Sequence, residues 1–128
     1  MKKKESQPTE AELEILQVLW EHGPSPVRFV NEQLNRDPER NIGYTTTLKL
    51  MQIMAEKGLA ERNTDQRVHI YSAAVTEKDT QGRLLEKFVD AAFRGSAMKL
   101  VMQALGQHEA SPEELRQVKD LIQKMEEE

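Results

Sequence analysis

Thr45, Thr46, Lys49 and Gln52 are the residues whose types and spacing fit a recognition chemistry. Their side chains donate and accept hydrogen bonds, and none is a good nucleophile or metal ligand by itself. The segment from Tyr44 to Lys57 reads as one helix ending at Gly58. At about 100° per residue, Leu48, Leu50, Met51, Met54 and Ala55 fall on one broad side. Thr45, Lys49 and Gln52 fall on the opposite side, with Thr46 and Ile53 beside them. A helix bearing such groups near its N-terminus can lie in a major groove and meet base edges and phosphates. A solvated surface also fits this pattern, but most solvated faces alternate Glu with Lys. Here Asn41 to Ala55 holds one lysine and no acid, and Glu56 comes only at the far end.

Bond-making chemistry finds little support. The chain has no cysteine, which excludes disulfides, thiolate zinc sites and cysteine nucleophiles. His22, His69 and His108 are far apart in sequence, without metal-ligand spacing. There is no glycine-rich phosphate loop and no G-x-S-x-G. Glu12 with Glu14 and Glu113 with Glu114 read as helix caps and wet-face residues. No catalytic residue, cofactor or metal is expected.

The elements that must position the polar face can be read next. Thr9 with Glu12 forms a capping box for a first helix with an apolar stripe at Leu13, Ile15, Leu16, Leu19 and Trp20, stopped by Gly23-Pro24. Ser25 is expected as the cap of a second helix with Pro26 at its first position. That helix carries Val27, Val30 and Leu34 and ends before Asp37-Pro38. After the third helix, Leu59–Arg62 and Arg67–Ser72 read as two strands around the polar turn 63–66, Val68 and Ile70 alternating with His69 and Tyr71. Three helices followed by a hairpin are the order of a winged helix–turn–helix. Arg62 and Arg67 flank the turn, where a wing meets the phosphate backbone.

Charge is unevenly spread. The 128 residues carry a formal net charge of −4, which at face value argues against nucleic acid. Residues 5–39 hold two arginines against eight acids, a net −6, whereas residues 40–75 hold five basic groups against three acids, a net +2. Residues 76–128 return to −3, with eight against eleven. The acid therefore sits mostly away from the polar helix face and hairpin, and should hold down non-specific DNA binding. No long apolar run predicts a membrane span, and the lysines at 2–4 precede no apolar stretch, so a cytoplasmic location is expected.

The remainder reads as helices with unpartnered stripes. Thr76 and Asp79 open one bearing Leu85, Phe88, Val89, Ala92 and Phe93, broken at Gly95-Ser96. Met98, Val101, Met102 and Leu105 continue on another. Ser111-Pro112 with Glu114 caps the last, where Leu115, Val118, Ile122 and Met125 make a short seam with Leu121 beside them. Such helices are too few to form an independent core. They either fold back on the first domain or pair with a second copy, and pairing is the expectation. The expected organisation is a flexible N-terminus over 1–8, a winged-helix domain over 9–75 and a helical dimerisation domain over 76–128.

The segments PTEAELEILQVLWEHGPSPVRFV, YTTTLKLMQIMAEKGLAER, RVHIYSA, FVDAAFRGSAMKLVMQAL and SPEELRQVKDLI resemble the BlaI/MecI penicillinase-repressor family, which includes copper-responsive repressors. The resemblance spans about residues 8–125. It implies a homodimeric transcriptional repressor with a winged-helix DNA-binding domain, bound to a palindromic operator. Tyr44, Thr45, Thr46 and Lys49 match the start of the recognition helix (about 44–57), and Arg67 matches the wing (about 59–73). Three features depart from the family pattern. The copper-responsive branch has paired C-x-C motifs, and this chain has no cysteine. The antibiotic-responsive branch is cut at an Asn-Phe bond, where Gln103-Ala104 stands here, so a proteolytic inactivator does not follow from the resemblance. Ile53 stands where family members often have Arg. The alternative function is a winged-helix protein–protein interaction module whose acidic first helix faces a basic partner.

Overall fold

The computed structural model describes residues 7–128, so most of the flexible N-terminus expected over 1–8 lies outside the described residues. In chain order the elements are α1 (Glu10–His22), β1 (Ser25–Pro26), α2 (Val27–Leu34), α3 (Tyr44–Lys57), β2 (Ala60–Asn63), β3 (Ile70–Ala73), α4 (Glu77–Phe93), α5 (Ala97–Gln107) and α6 (Pro112–Glu126). The chain is mainly helical with a small antiparallel sheet in the order β1-β3-β2. Two compact units divide between Leu84 and Leu85, inside α4.

The first unit is built on helices that start where their caps say. Thr9 Oγ1 accepts from the Glu12 N–H at 3.2 Å, and Glu12 Oε1 accepts from the Thr9 N–H at 2.9 Å, which closes the capping box. Ile15, Leu16 and Leu19 of α1 then meet Val27, Val30 and Leu34 of α2, Met51 and Met54 of α3, and Leu59, Ala60 and Tyr71 of the sheet in one core. Each fully buried side chain of this kind contributes about 1.5–3 kcal/mol of transfer free energy. Trp20 lies beside that core, and its indole Nε1–H donates to the Val75 carbonyl at 2.9 Å, tying α1 to the segment after the sheet.

Two local expectations are corrected. Ser25 does not cap α2. Ser25 and Pro26 form β1, paired with Tyr71 and Ile70 of β3, and Pro26 is the N-cap. The serine hydroxyl instead donates to the Gly23 carbonyl at 2.8 Å. Pro26 is tolerated because β1 is an edge strand. The hairpin is also shorter than the alternation suggested. Ladder pairing runs from Ala60↔Ala73 to Asn63↔Ile70, so residues 64–69 form the loop. Val68 is thus 57% exposed rather than a core-facing strand residue.

The second unit holds the rest of α4 with α5 and α6. Arg94 (φ 52°) and Gly95 (φ 81°) are both left-handed, which ends α4 abruptly. The Gly95 N–H donates to the Val89 carbonyl at 3.0 Å, and the Phe88 and Phe93 rings meet edge to face at 5.8 Å. Ser96 caps α5 at the Lys99 N–H. Ser111 and Glu114 complete a reciprocal capping box on α6, with Pro112 in its first turn. Leu85, Phe88, Val101, Leu105, Leu115, Leu121, Ile122 and Met125 all remain exposed.

Candidate nucleic-acid interface

The polar face of α3 is set by the turn that precedes it. Asn31 on α2 and Asn35 at its C-cap, four residues on, hold this turn by side-chain bonds. Asn31 Nδ2 donates to the Ile42 carbonyl at 3.0 Å and to Thr47 Oγ1 at 2.9 Å. Asn35 Nδ2 donates to the same Ile42 carbonyl at 2.8 Å, while Asn35 Oδ1 accepts from the Ile42 N–H at 2.7 Å. Thr47 is fully buried within α3. These residues fix where α3 begins, and sequence reasoning passed over all three. The available signal was a pair of asparagines four apart, at the last turn and C-cap of α2.

Gly43 is the N-cap of α3 and no side chain caps the helix among the described residues. The free N–H groups of its first turn thus face solvent with the positive end of the helix dipole. Thr45, Thr46, Lys49 and Gln52 are all exposed, as is Tyr44 at 47%. Ile53, at the position where an arginine was the family expectation, is exposed on the same helix. Met51 and Met54 are fully buried on the other side.

The far end of α3 is equally defined. Gly58 (φ 83°) closes it in the left-handed conformation, and the Leu59 N–H reaches back to the Met54 carbonyl at 2.9 Å. Chain direction then turns straight into β2. Lys57 Nζ bonds Glu12 Oε1 at 2.6 Å, joining the last turn of α3 to the first turn of α1. Glu12 is almost fully buried. Burial pushes its carboxyl up, but the bonds from Lys57 and Thr9 outweigh that and hold it below the ordinary glutamate value.

A concavity of about 340 Å³ lies between α3 and the wing. Tyr44 and Leu48 of α3, Arg67, Val68 and His69 of the wing loop, and Tyr71 of β3 line it. Pro26, Val27 and Arg28 complete it from β1 and α2. The structure therefore brings Tyr44 and Arg67 together. It leaves Arg62 on β2 outside this concavity, and Thr45, Thr46, Lys49 and Gln52 on the outer helix face. Arg28 was not among the expected site residues. Its place beside the wing follows from β1 pairing with β3, which was itself missed. The Tyr71 hydroxyl is buried and has no hydrogen-bond partner among the described residues.

The expected pairing residues stand on the second unit. Leu85, Phe88, Val101, Leu105, Leu115, Leu121, Ile122 and Met125 are exposed, Phe93 and Val118 are half-buried, and Val89 is buried already in the single chain. Gln103 and Ala104 lie exposed in the middle of α5. Among the described residues no group of His, Asp or Glu could hold a metal ion, and no helix is long and apolar enough to cross a membrane.

Comparison with known proteins bears on this geometry. The family model described as penicillinase repressor matches residues 8–124. The penicillinase repressor of Bacillus licheniformis is 24% identical over 121 residues, covering 94% of this chain and 93% of that protein. The methicillin resistance regulatory protein MecI of Mammaliicoccus sciuri is 20% identical over 114 residues, covering 89% and 91%. Among solved structures, the DNA-binding domain of the repressor BlaI is similar at a TM-score of 0.51 and 26% identity, covering 61% of this chain and 93% of that one. With nearly its whole length matched and its first unit folded as a winged helix, the chain belongs to the penicillinase repressor family of DNA-binding transcriptional repressors.

Proposed function

We propose that the protein acts as a homodimer on a palindromic duplex operator, with α3 in the major groove and the wing on the backbone. The observation that carries this reading is the exposed outer face of α3, free of acid until Glu56 in its last turn, set by the Asn31–Thr47 and Asn35–Ile42 bonds and flanked by Arg67. In this reading Thr45, Thr46, Lys49 and Gln52 meet base edges and nearby phosphates, and Tyr44, Arg62 and Arg67 meet the backbone. Residues 9–75 read DNA and residues 76–128 pair the protomers. One recognition helix reads only a few base pairs, so two about a helical turn apart raise affinity and demand a symmetric site. The exposed apolar side chains of α4, α5 and α6 support the pairing role, because patches of this kind mark interaction surfaces. The protein has no catalytic role and works in the cytoplasm. Induction by cleavage at the family's Asn-Phe position is not part of this reading, since Gln103-Ala104 stands there.

The test is a salt titration against duplexes selected from a random pool. A repressor of this kind loses affinity linearly on a log–log plot, by about 0.9 per phosphate contact. Selected sites should be palindromic. Failure to bind any duplex at low salt would leave the protein-interaction alternative standing instead.

A further inference from the structure

We propose that Arg28, on the first turn of α2, forms a backbone clamp with Arg67, and that the groove between them seats one sugar–phosphate strand of the duplex. This rests on the DNA-binding reading and adds to it a residue and a strand path. The placement comes from the sheet. Ser25 pairs with Tyr71 and Pro26 with Ile70, so the start of α2 is held against the root of the wing. Arg28 follows two residues later and lines the same concavity as Arg67.

The chemistry of the lining selects the occupant. Arg28, Arg67 and His69 line the groove, and no carboxylate lines it. Arg40, Lys57 and Arg116 are each paired with a glutamate, whereas neither Arg28 nor Arg67 has an ion-pair partner among the described residues. Two arginines without ion-pair partners suit a phosphodiester, which accepts bidentate hydrogen bonds. Leu48 and Val68 supply apolar surface for the flanking sugars. Tyr44, the first residue of α3, lines the same groove. The occupant is therefore a backbone strand running between recognition helix and wing, with Arg28 adding a contact that carries no sequence information.

Arg28→Ala, with Arg28→Gln as a variant that keeps much of the side-chain stem, should be titrated with salt on a duplex selected by the unaltered chain. The log–log slope should fall by about 0.9 per protomer, with the preferred sequence unchanged. Duplexes carrying single neutral methylphosphonates supply the map. The unaltered chain should lose affinity at one phosphate per half-site to which both variants are indifferent, and Arg28→Lys should regain sensitivity there. Unchanged slope and map in both variants, against a protein that binds duplex normally, would overturn the clamp alone. Absence of duplex binding by the unaltered chain would remove the DNA reading and the clamp together.

Discussion

Asn31 donates to the buried hydroxyl of Thr47 across the turn between α2 and α3, at 2.9 Å. The same amide also holds the Ile42 carbonyl, so one side chain ties the scaffold helix to both the approach and the first turns of the recognition helix. Asn31→Ala should cost about 1–2 kcal/mol, because it leaves partly buried acceptors without their donor. It should also weaken operator binding by loosening the start of α3. Denaturant unfolding measures the first effect and duplex titration the second. Unchanged affinity in a stably folded variant would reduce the bond to a packing role.

Lys57 and Glu12 make the corresponding tie at the other end of α3. The Glu12 carboxyl is held below its ordinary value, so the unfolded chain takes up its proton first as pH falls. Its contribution to stability is thus present above the unfolded value near 4.5 and is lost as pH drops through the lower folded value. Lys57→Met should destabilise by about 1–3 kcal/mol at pH 7, leaving a buried carboxylate with only its capping bonds. That deficit should shrink in acid, where Glu12 is neutral in either protein. Chemical melts at neutral pH and below 4 measure the convergence, and parallel pH curves would refute the coupling.

Lys49 stands exposed on the outer face of α3 and takes no part in the core. Lys49→Ala should leave the fold and the oligomeric state intact while weakening operator binding several-fold. Sedimentation and duplex titration separate the two. A lost dimer would mean that α3 belongs to a subunit interface.

Leu115 and Ile122 are 45% and 51% exposed on α6 in the single chain. Changing both to Asp should cost the isolated protomer little stability but prevent an apolar interface from closing. Monomers in sedimentation, with poor binding to a full palindrome, are the expected outcome. A dimer that survives would move the interface away from α6.

The Tyr71 hydroxyl is buried without a partner among the described residues. An unmet hydroxyl carries a desolvation penalty, so Tyr71→Phe should be neutral or stabilising, by up to about 1 kcal/mol. Thermal unfolding tests this, and a large loss of stability would show that the hydroxyl is satisfied in solution.

Local signals were the legible part of this chain. Both capping boxes and the two methionines facing the core follow from neighbours within a few residues, as does Gly58 at the end of α3. What sequence reading missed was made by distant partners. Ser25 and Pro26 become a strand only because β3 lies beside them, some 45 residues on. Arg28 reaches the wing for the same reason, so no local pattern could nominate it. Thr47 resembles its exposed neighbours Thr45 and Thr46 in type, and its burial is tolerable because its hydroxyl accepts from Asn31 and donates to the Gly43 carbonyl. In the wing, alternation at Val68 mimicked a strand that the short ladder does not reach.

The joint between α3 and β2 has one more implication. It is closed by the left-handed Gly58 and by backbone bonds back to Met54 and Ala55, and the start of α3 is held by α2. Thr45, Thr46, Lys49 and Gln52 take no part in either attachment. Packing leaves their identities nearly open, within what a helix tolerates, so under the proposed reading an exchange of these side chains would redirect the target site without rebuilding the domain that carries them.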